Sequence, residues 1–67
     1  MKIKQLEKVM EIDDRQRVRV NDTRTQTKHE TVGGWCWDRE PEFVDYVLNL
    51  TVDSVYFKED WLFIWAH

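Results

Sequence analysis

Two groups of residues in this chain have types and spacing that suit chemistry. Arg17 and Arg19 alternate with Val18 and Val20, and Arg24 and Lys28 follow closely. On a strand, residues two apart share a face, so Arg17 and Arg19 form a cationic pair. Guanidinium groups bind phosphate oxygens in a bidentate fork. Trp35 and Trp37 straddle Cys36 in the connection between two elements. Indole faces are platforms on which a nucleobase stacks. Arg17, Arg19, Arg24, Trp35 and Trp37 therefore define a candidate nucleotide site, with tryptophan for the base and arginine for the phosphates. The plainer reading is that the two tryptophans cap a small core or fill a subunit interface, as buried tryptophans often do.

Catalytic and metal chemistry have less to stand on. Gly33-Gly34 is not followed by the lysine of a phosphate-binding loop. Cys36 has His29 seven residues upstream but no third group to orient it, and its indole neighbours suit a shielded thiol. Glu59 and Asp60 are adjacent carboxylates at a turn, where solvation accounts for them. His67 closes the sequence and is expected to be mobile. Cys36, His29 and His67 lack the spacing of zinc ligands. The sequence thus reads as a non-enzymatic protein with no catalytic residue, metal site or cofactor.

The residues from Val52 to His67 form two β-rich runs around Lys58-Glu59-Asp60. In the second run Trp61, Phe63 and Trp65 face one way, while Leu62, Ile64 and Ala66 face the other. Both faces are apolar. One is expected against the chain's own helices and the other, through Trp61, Phe63 and Trp65, against another copy. A chain of 67 residues reads as a single domain, 1–67. At that size only about 60% of the unfolded surface is buried on folding. Small domains gain support from disulfides, metals or assembly. A lone cysteine forms no bridge within the chain, so a homo-oligomer is expected.

The net charge of −3 argues against a general binder of polymeric nucleic acid. The charge is uneven: residues 15–29 carry +4 and residues 38–60 carry −5. That asymmetry suits head-to-tail copies, a cationic face for an anion, or simply two solvated surfaces. The opening Met1-Lys-Ile-Lys-Gln-Leu-Glu-Lys8 lacks the apolar stretch of a signal peptide. No apolar run approaches the roughly 20 residues of a membrane span. A soluble protein of the cytoplasm is expected.

These residues must be positioned by a small set of elements. Ile3, Leu6, Val9 and Met10 recur at helical spacing. Residues 16–20 alternate as a half-buried strand, with Asn21-Asp22-Thr23 as its turn. Residues 25–32 form a more polar antiparallel partner near an edge, stopped by Gly33-Gly34. Pro41 opens a second helix with a stripe of Phe43, Val44, Val47 and Leu48. The closing hairpin completes an α+β fold of order α-β-β-α-β-β, a four-stranded antiparallel sheet with two helices. The expected core is Ile3, Leu6, Val9, Met10, Val18, Val20, Val44, Val47, Leu48, Val55, Phe57, Leu62 and Ile64.

The opening Met1–Val9, the strand Arg17-Val-Arg-Val20, the exit Thr31-Val-Gly-Gly34 and the closing Val52-Asp-Ser-Val-Tyr-Phe57 resemble a group of small proteins from phages and prophages of Gram-positive bacteria, about 70 residues long. The resemblance covers nearly the whole chain and rests on pattern. The segment Gly33-Gly-Trp-Cys-Trp-Asp38 departs from it, because a short proline-containing link is usual there. No functional residue carries over. The resemblance implies an accessory protein of the host cytoplasm that counters bacterial immunity. The partner would be a nucleotide-like signal held by an oligomeric sponge or, alternatively, a host defence protein inhibited directly. A structural phage component is the third reading.

Overall fold

The computed structural model describes residues 1–35 and 41–67, and for 41–43 the backbone only. Its elements are α1 (Ile3–Val9), β1 (Arg17–Asp22), β2 (Thr27–Thr31), α2 (Pro41–Leu48), β3 (Val52–Lys58) and β4 (Trp61–Ala66). The α+β class, the element order and the number of strands agree with the sequence pattern.

The sheet is mixed, not antiparallel throughout. Its strand order is β2-β1-β4-β3. β1 pairs antiparallel with β2, and β3 with β4, but the two central strands β1 and β4 run parallel. The cause is the connection between the hairpins. A parallel arrangement needs a crossover long enough to carry the chain back, commonly through a helix. The segment containing α2 does this between the end of β2 and the start of β3, so β3 runs in the same direction as β2 and the two hairpin turns lie at opposite ends of the sheet.

β1 also extends further than its alternation suggested. Asn21 and Asp22 are strand residues paired with Lys28 and Thr27, and the turn falls at residues 23–26, with Gln26 at φ 57°. The added residues reach β4, where Asn21 pairs with Trp65 and Asp22 with Ala66. Parallel pairing compensates for the polar side chains that locally favour a turn. β2 is an edge strand, as its polarity indicated.

Both helices lie on one face of the sheet. Ile3 and Leu6 of α1, Val47 of α2 and Leu50 just beyond it close over Val18, Val20, Leu62, Ile64 and Ala66. Two expected core residues are exposed. Val9 is 70% exposed. It sits about 120° around the helix from Ile3, at the margin of the buried stripe. Phe57 is 57% exposed because β3 is an edge strand with a neighbour on one side only. Leu50 takes a core place that periodicity did not single out, and Ala66, which alternation put on the face of Leu62 and Ile64, joins the core although the expected list omitted it. Met10, Leu48 and Val55 are partly buried against the cluster. Val44 is half-buried, and the side chain of Phe43 lies outside the described residues.

Backbone bonds fasten the first helix to the end of the second. The N–H of Ile3 donates to Leu50 O, and that of Val52 to Met1 O. Thr51 and His67 exchange both backbone bonds, at 2.8 and 3.0 Å. The last residue is therefore paired, in contrast to the mobility expected for it. Its Nδ1 also lies 2.9 Å from Asp53 Oδ2. No helix of the described residues is long and apolar enough to cross a membrane.

Candidate functional site

The sheet face opposite the helices carries the candidate site, and parallel pairing of β1 with β4 builds it. Arg17 lies beside Trp61, Arg19 beside Phe63 and Asn21 beside Trp65. On the outer side Tyr56 of β3 pairs with Phe63, and on the other side Glu30 and Lys28 of β2 pair with Arg19 and Asn21. Alternation puts all of these on one face, because Val18, Val20, Leu62, Ile64 and Ala66 occupy the other.

The side chains interlock. The Arg19 guanidinium lies 4.8 Å from the Trp61 ring centre and 5.3 Å from that of Phe63, and Arg17 lies 5.7 Å from Trp61. Cations attracted to ring faces at such distances contribute about 0.5–1 kcal/mol each at exposed sites. Arg19 is also tied to Glu30, with Nε donating at 2.9 Å and Nη2 at 2.8 Å to the same carboxylate oxygen. Tyr56 stacks on Phe63 with ring centres 5.4 Å apart, and the Trp65 indole N–H donates to the Tyr56 hydroxyl at 3.2 Å. The result is a row Trp61, Phe63, Tyr56, Trp65 with two arginines along one side. Trp61 and Phe63 are half-buried, while Trp65 remains 39% exposed.

The fold does not unite all the residues that the sequence grouped. Trp35 stands away from Arg17 and Arg19. It packs against the core on the helix side, and its indole N–H donates to Met10 O at 2.8 Å. Gly34 forces this approach: its N–H donates to Gln16 O, its φ is +64°, and a side chain there would meet Asp13 O at 2.7 Å. Arg24 also leaves the arginine pair. It sits in the β1–β2 turn and lines a surface hollow with Tyr46, Asn49 and His67. Trp37 and Cys36 lie outside the described residues. Trp61, Phe63 and Trp65 do share the outer face on which an interface with another copy was expected.

Two features escaped the sequence reading. Tyr56 belongs to the aromatic row, and its signal was its place opposite Phe63 in the closing hairpin. The second is the polar cluster around Asp22, which is 1% exposed and on the helix side. Tyr46 and the Thr25 hydroxyl donate to Asp22 Oδ2, and the Arg24 N–H donates to Oδ1 at 2.9 Å. Burial pushes the Asp22 pKa up, but these hydrogen bonds outweigh it and hold the carboxyl below its ordinary 3.8. The same bond to Asp22, together with burial and the carboxylate charge, raises Tyr46 above its ordinary 10.0. The cluster joins α2 to the β1–β2 turn.

The arrangement on the outer face offers stacking surfaces and fixed cations. No protein-family model matches this chain, and no curated protein or solved structure matches it either.

Proposed function

We propose that this chain is a non-enzymatic binding protein that sequesters an anionic, aromatic ligand of nucleotide type. The observation that carries the reading is the alignment of Arg17 and Arg19 with Trp61, Phe63 and Trp65 on the sheet face opposite the core cluster of the described residues. Aromatic rings accept bases through stacking, at about 1–3 kcal/mol per base. Arginines donate charge-assisted hydrogen bonds to phosphate oxygens. Trp61, Phe63 and Trp65 thus take the stacking role first given to Trp35 and Trp37. The resemblance to small phage proteins supports the biological half of the proposal: a counter-defence accessory protein of the host cytoplasm, acting as a homo-oligomeric sponge for a nucleotide-derived immune signal.

Calorimetry with the full chain against cyclic dinucleotides and ADP-ribose derivatives tests the reading. Binding that weakens with salt and with Arg17→Ala is expected. No heat with any member overturns it.

A second reading is direct inhibition of a host defence protein. The exposure of Tyr56, Phe57 and Trp65 on one hairpin favours it, since aromatic side chains anchor protein interfaces. Retention of a host protein on the immobilised domain, with no nucleotide bound, would select it.

A further inference from the structure

The outer face contains one polar side chain with an unmet need. Asn21 is 6% exposed, and among the described residues its Nδ2 has no hydrogen-bond acceptor. Buried amides are nearly always paired, because leaving a donor without an acceptor away from water forfeits its hydration with nothing in return. Asn21 does not sit in an apolar void. It lines a surface cleft of about 350 Å³ with Asp22, Thr23, Gln26, Lys28 and Trp65. In the strand ladder it lies between Lys28 on one side and Trp65 on the other.

The three side chains are complementary. Trp65 supplies an exposed ring face, Lys28 supplies a cation, and Asn21 supplies a donor between them. The Asp22 carboxylate points to the helix side of the sheet, where it is 1% exposed and accepts bonds from Tyr46, Thr25 and Arg24 N–H, so it does not share the face of Lys28. The Trp65 indole N–H donates one hydrogen bond, at 3.2 Å to the Tyr56 hydroxyl.

We propose that this cleft is the base-reading end of the ligand site. A nucleobase stacks on Trp65 and presents a ring nitrogen or carbonyl to Asn21 Nδ2, while its nearest phosphate meets Lys28. The rest of the ligand runs along β1 toward Arg19 and Arg17, which succeed Asn21 at steps of about 6.6 Å, two strand residues each. The inference rests on the nucleotide-binding reading and adds to it a place and a polarity for the base. Selection among anions then comes from Asn21 and Trp65, and charge comes from the arginines.

The test uses the full chain with ADP-ribose, cyclic di-AMP and ribose 5-phosphate, read by calorimetry and by the Trp65 indole and Asn21 amide signals in nitrogen-15 spectra. The base-bearing ligands should shift both signals, and ribose 5-phosphate should bind at least tenfold more weakly. Asn21→Leu should reduce affinity for the base-bearing ligands by about fivefold or more while leaving the melting temperature unchanged or higher, since it removes an unmet buried donor. Lys28→Ala provides a surface variant with no folding burden and should also weaken binding. Tight binding of a base-bearing ligand that ignores both substitutions, or equal binding of ribose 5-phosphate, would overturn the base-reading cleft and leave the wider reading intact. Absence of binding by both base-bearing ligands would overturn the two together.

Discussion

Tyr46 of α2 donates its phenolic proton to the buried carboxylate of Asp22, at the end of β1. One hydrogen bond thereby ties the crossover helix to the central strand whose far face carries the candidate site. Asp22 receives further bonds from Thr25 Oγ1 and Arg24 N–H, so the β1–β2 turn is held by the same group.

This pairing predicts a pH dependence at both ends. The Asp22 carboxyl titrates below its ordinary 3.8 in the folded chain. Its contribution is complete above that value and is lost as pH falls through the lower folded value. Tyr46 is raised above 10.0, so its contribution is complete below that value and is lost as pH rises through the higher folded value. Tyr46→Phe should lower the melting temperature near neutral pH and weaken both dependences. Thermal melts of the two proteins from pH 2 to 11 provide the measurement. Parallel stability curves, with no convergence at either extreme, would dismiss the link.

Gly34 should be intolerant of any side chain. At φ +64° it occupies the left-handed region, and an added Cβ would approach the backbone oxygen of Asp13 to 2.7 Å. Gly34→Ala therefore combines backbone strain with a clash against main chain, which yields less easily than a flexible side chain. Strain of this kind costs on the order of 1–3 kcal/mol. Gly34→Ala should lower the urea midpoint by a corresponding amount and loosen Trp35, whose fluorescence should move toward that of a solvated indole. An unchanged midpoint would show that the Asp13 loop moves aside at no cost.

Glu30 should oppose an anionic ligand. Its carboxylate holds Arg19 at 2.8 Å and offsets the charge that a phosphate would use. Glu30→Gln should tighten binding of ADP-ribose or cyclic dinucleotides by severalfold and steepen its salt dependence. Arg17→Ala should weaken binding about tenfold or more, since hydrogen bonds to charged groups are worth about 1.5–3 kcal/mol. Calorimetry at two salt concentrations separates the two effects. Weaker binding by Glu30→Gln would mean that Glu30 positions Arg19 for the ligand.

Most of the elements were legible because their signals are local. Val18 and Val20 alternate with arginines, and Leu62 and Ile64 alternate with aromatics, so each strand declares its faces. Ile3 and Leu6 mark α1 in the same way. The parallel contact of β1 with β4 was not legible, since nothing in Arg17–Asp22 names a partner 44 residues away. The site was misassembled for that reason. Arg17 and Arg19 were read as a cationic face, but their aromatic neighbours are Trp61 and Phe63, not Trp35. Asn21 and Asp22 looked like turn residues because local propensity favours turns for both. Only the longer ladder makes one a cleft donor and the other a buried anchor for Tyr46.

Assembly is the remaining prediction. The chain exposes 4665 Å² in all. A standard stable interface takes about 800 Å² per partner, roughly a sixth of that surface. Two exposed apolar sites are available to such an interface, Phe57 at the β3 edge on the helix side of the sheet and Tyr56 with Trp65 on the outer face. Light scattering at micromolar concentration should give a mass at least twice 8.2 kDa. Phe57 is 57% exposed on the edge strand and lies outside the ligand face, because it pairs with the inward-facing Leu62. Phe57→Glu should therefore reduce the mass toward one chain without changing the fold measured by circular dichroism. Trp65→Glu distinguishes the two uses of the outer face. If that face holds ligand and the edge holds the partner copy, Trp65→Glu abolishes nucleotide binding and leaves the mass unaltered. A mass that falls with Trp65→Glu but not with Phe57→Glu would move the subunit contact onto the aromatic row. A single-chain mass for the unmodified protein would remove the sponge assembly altogether.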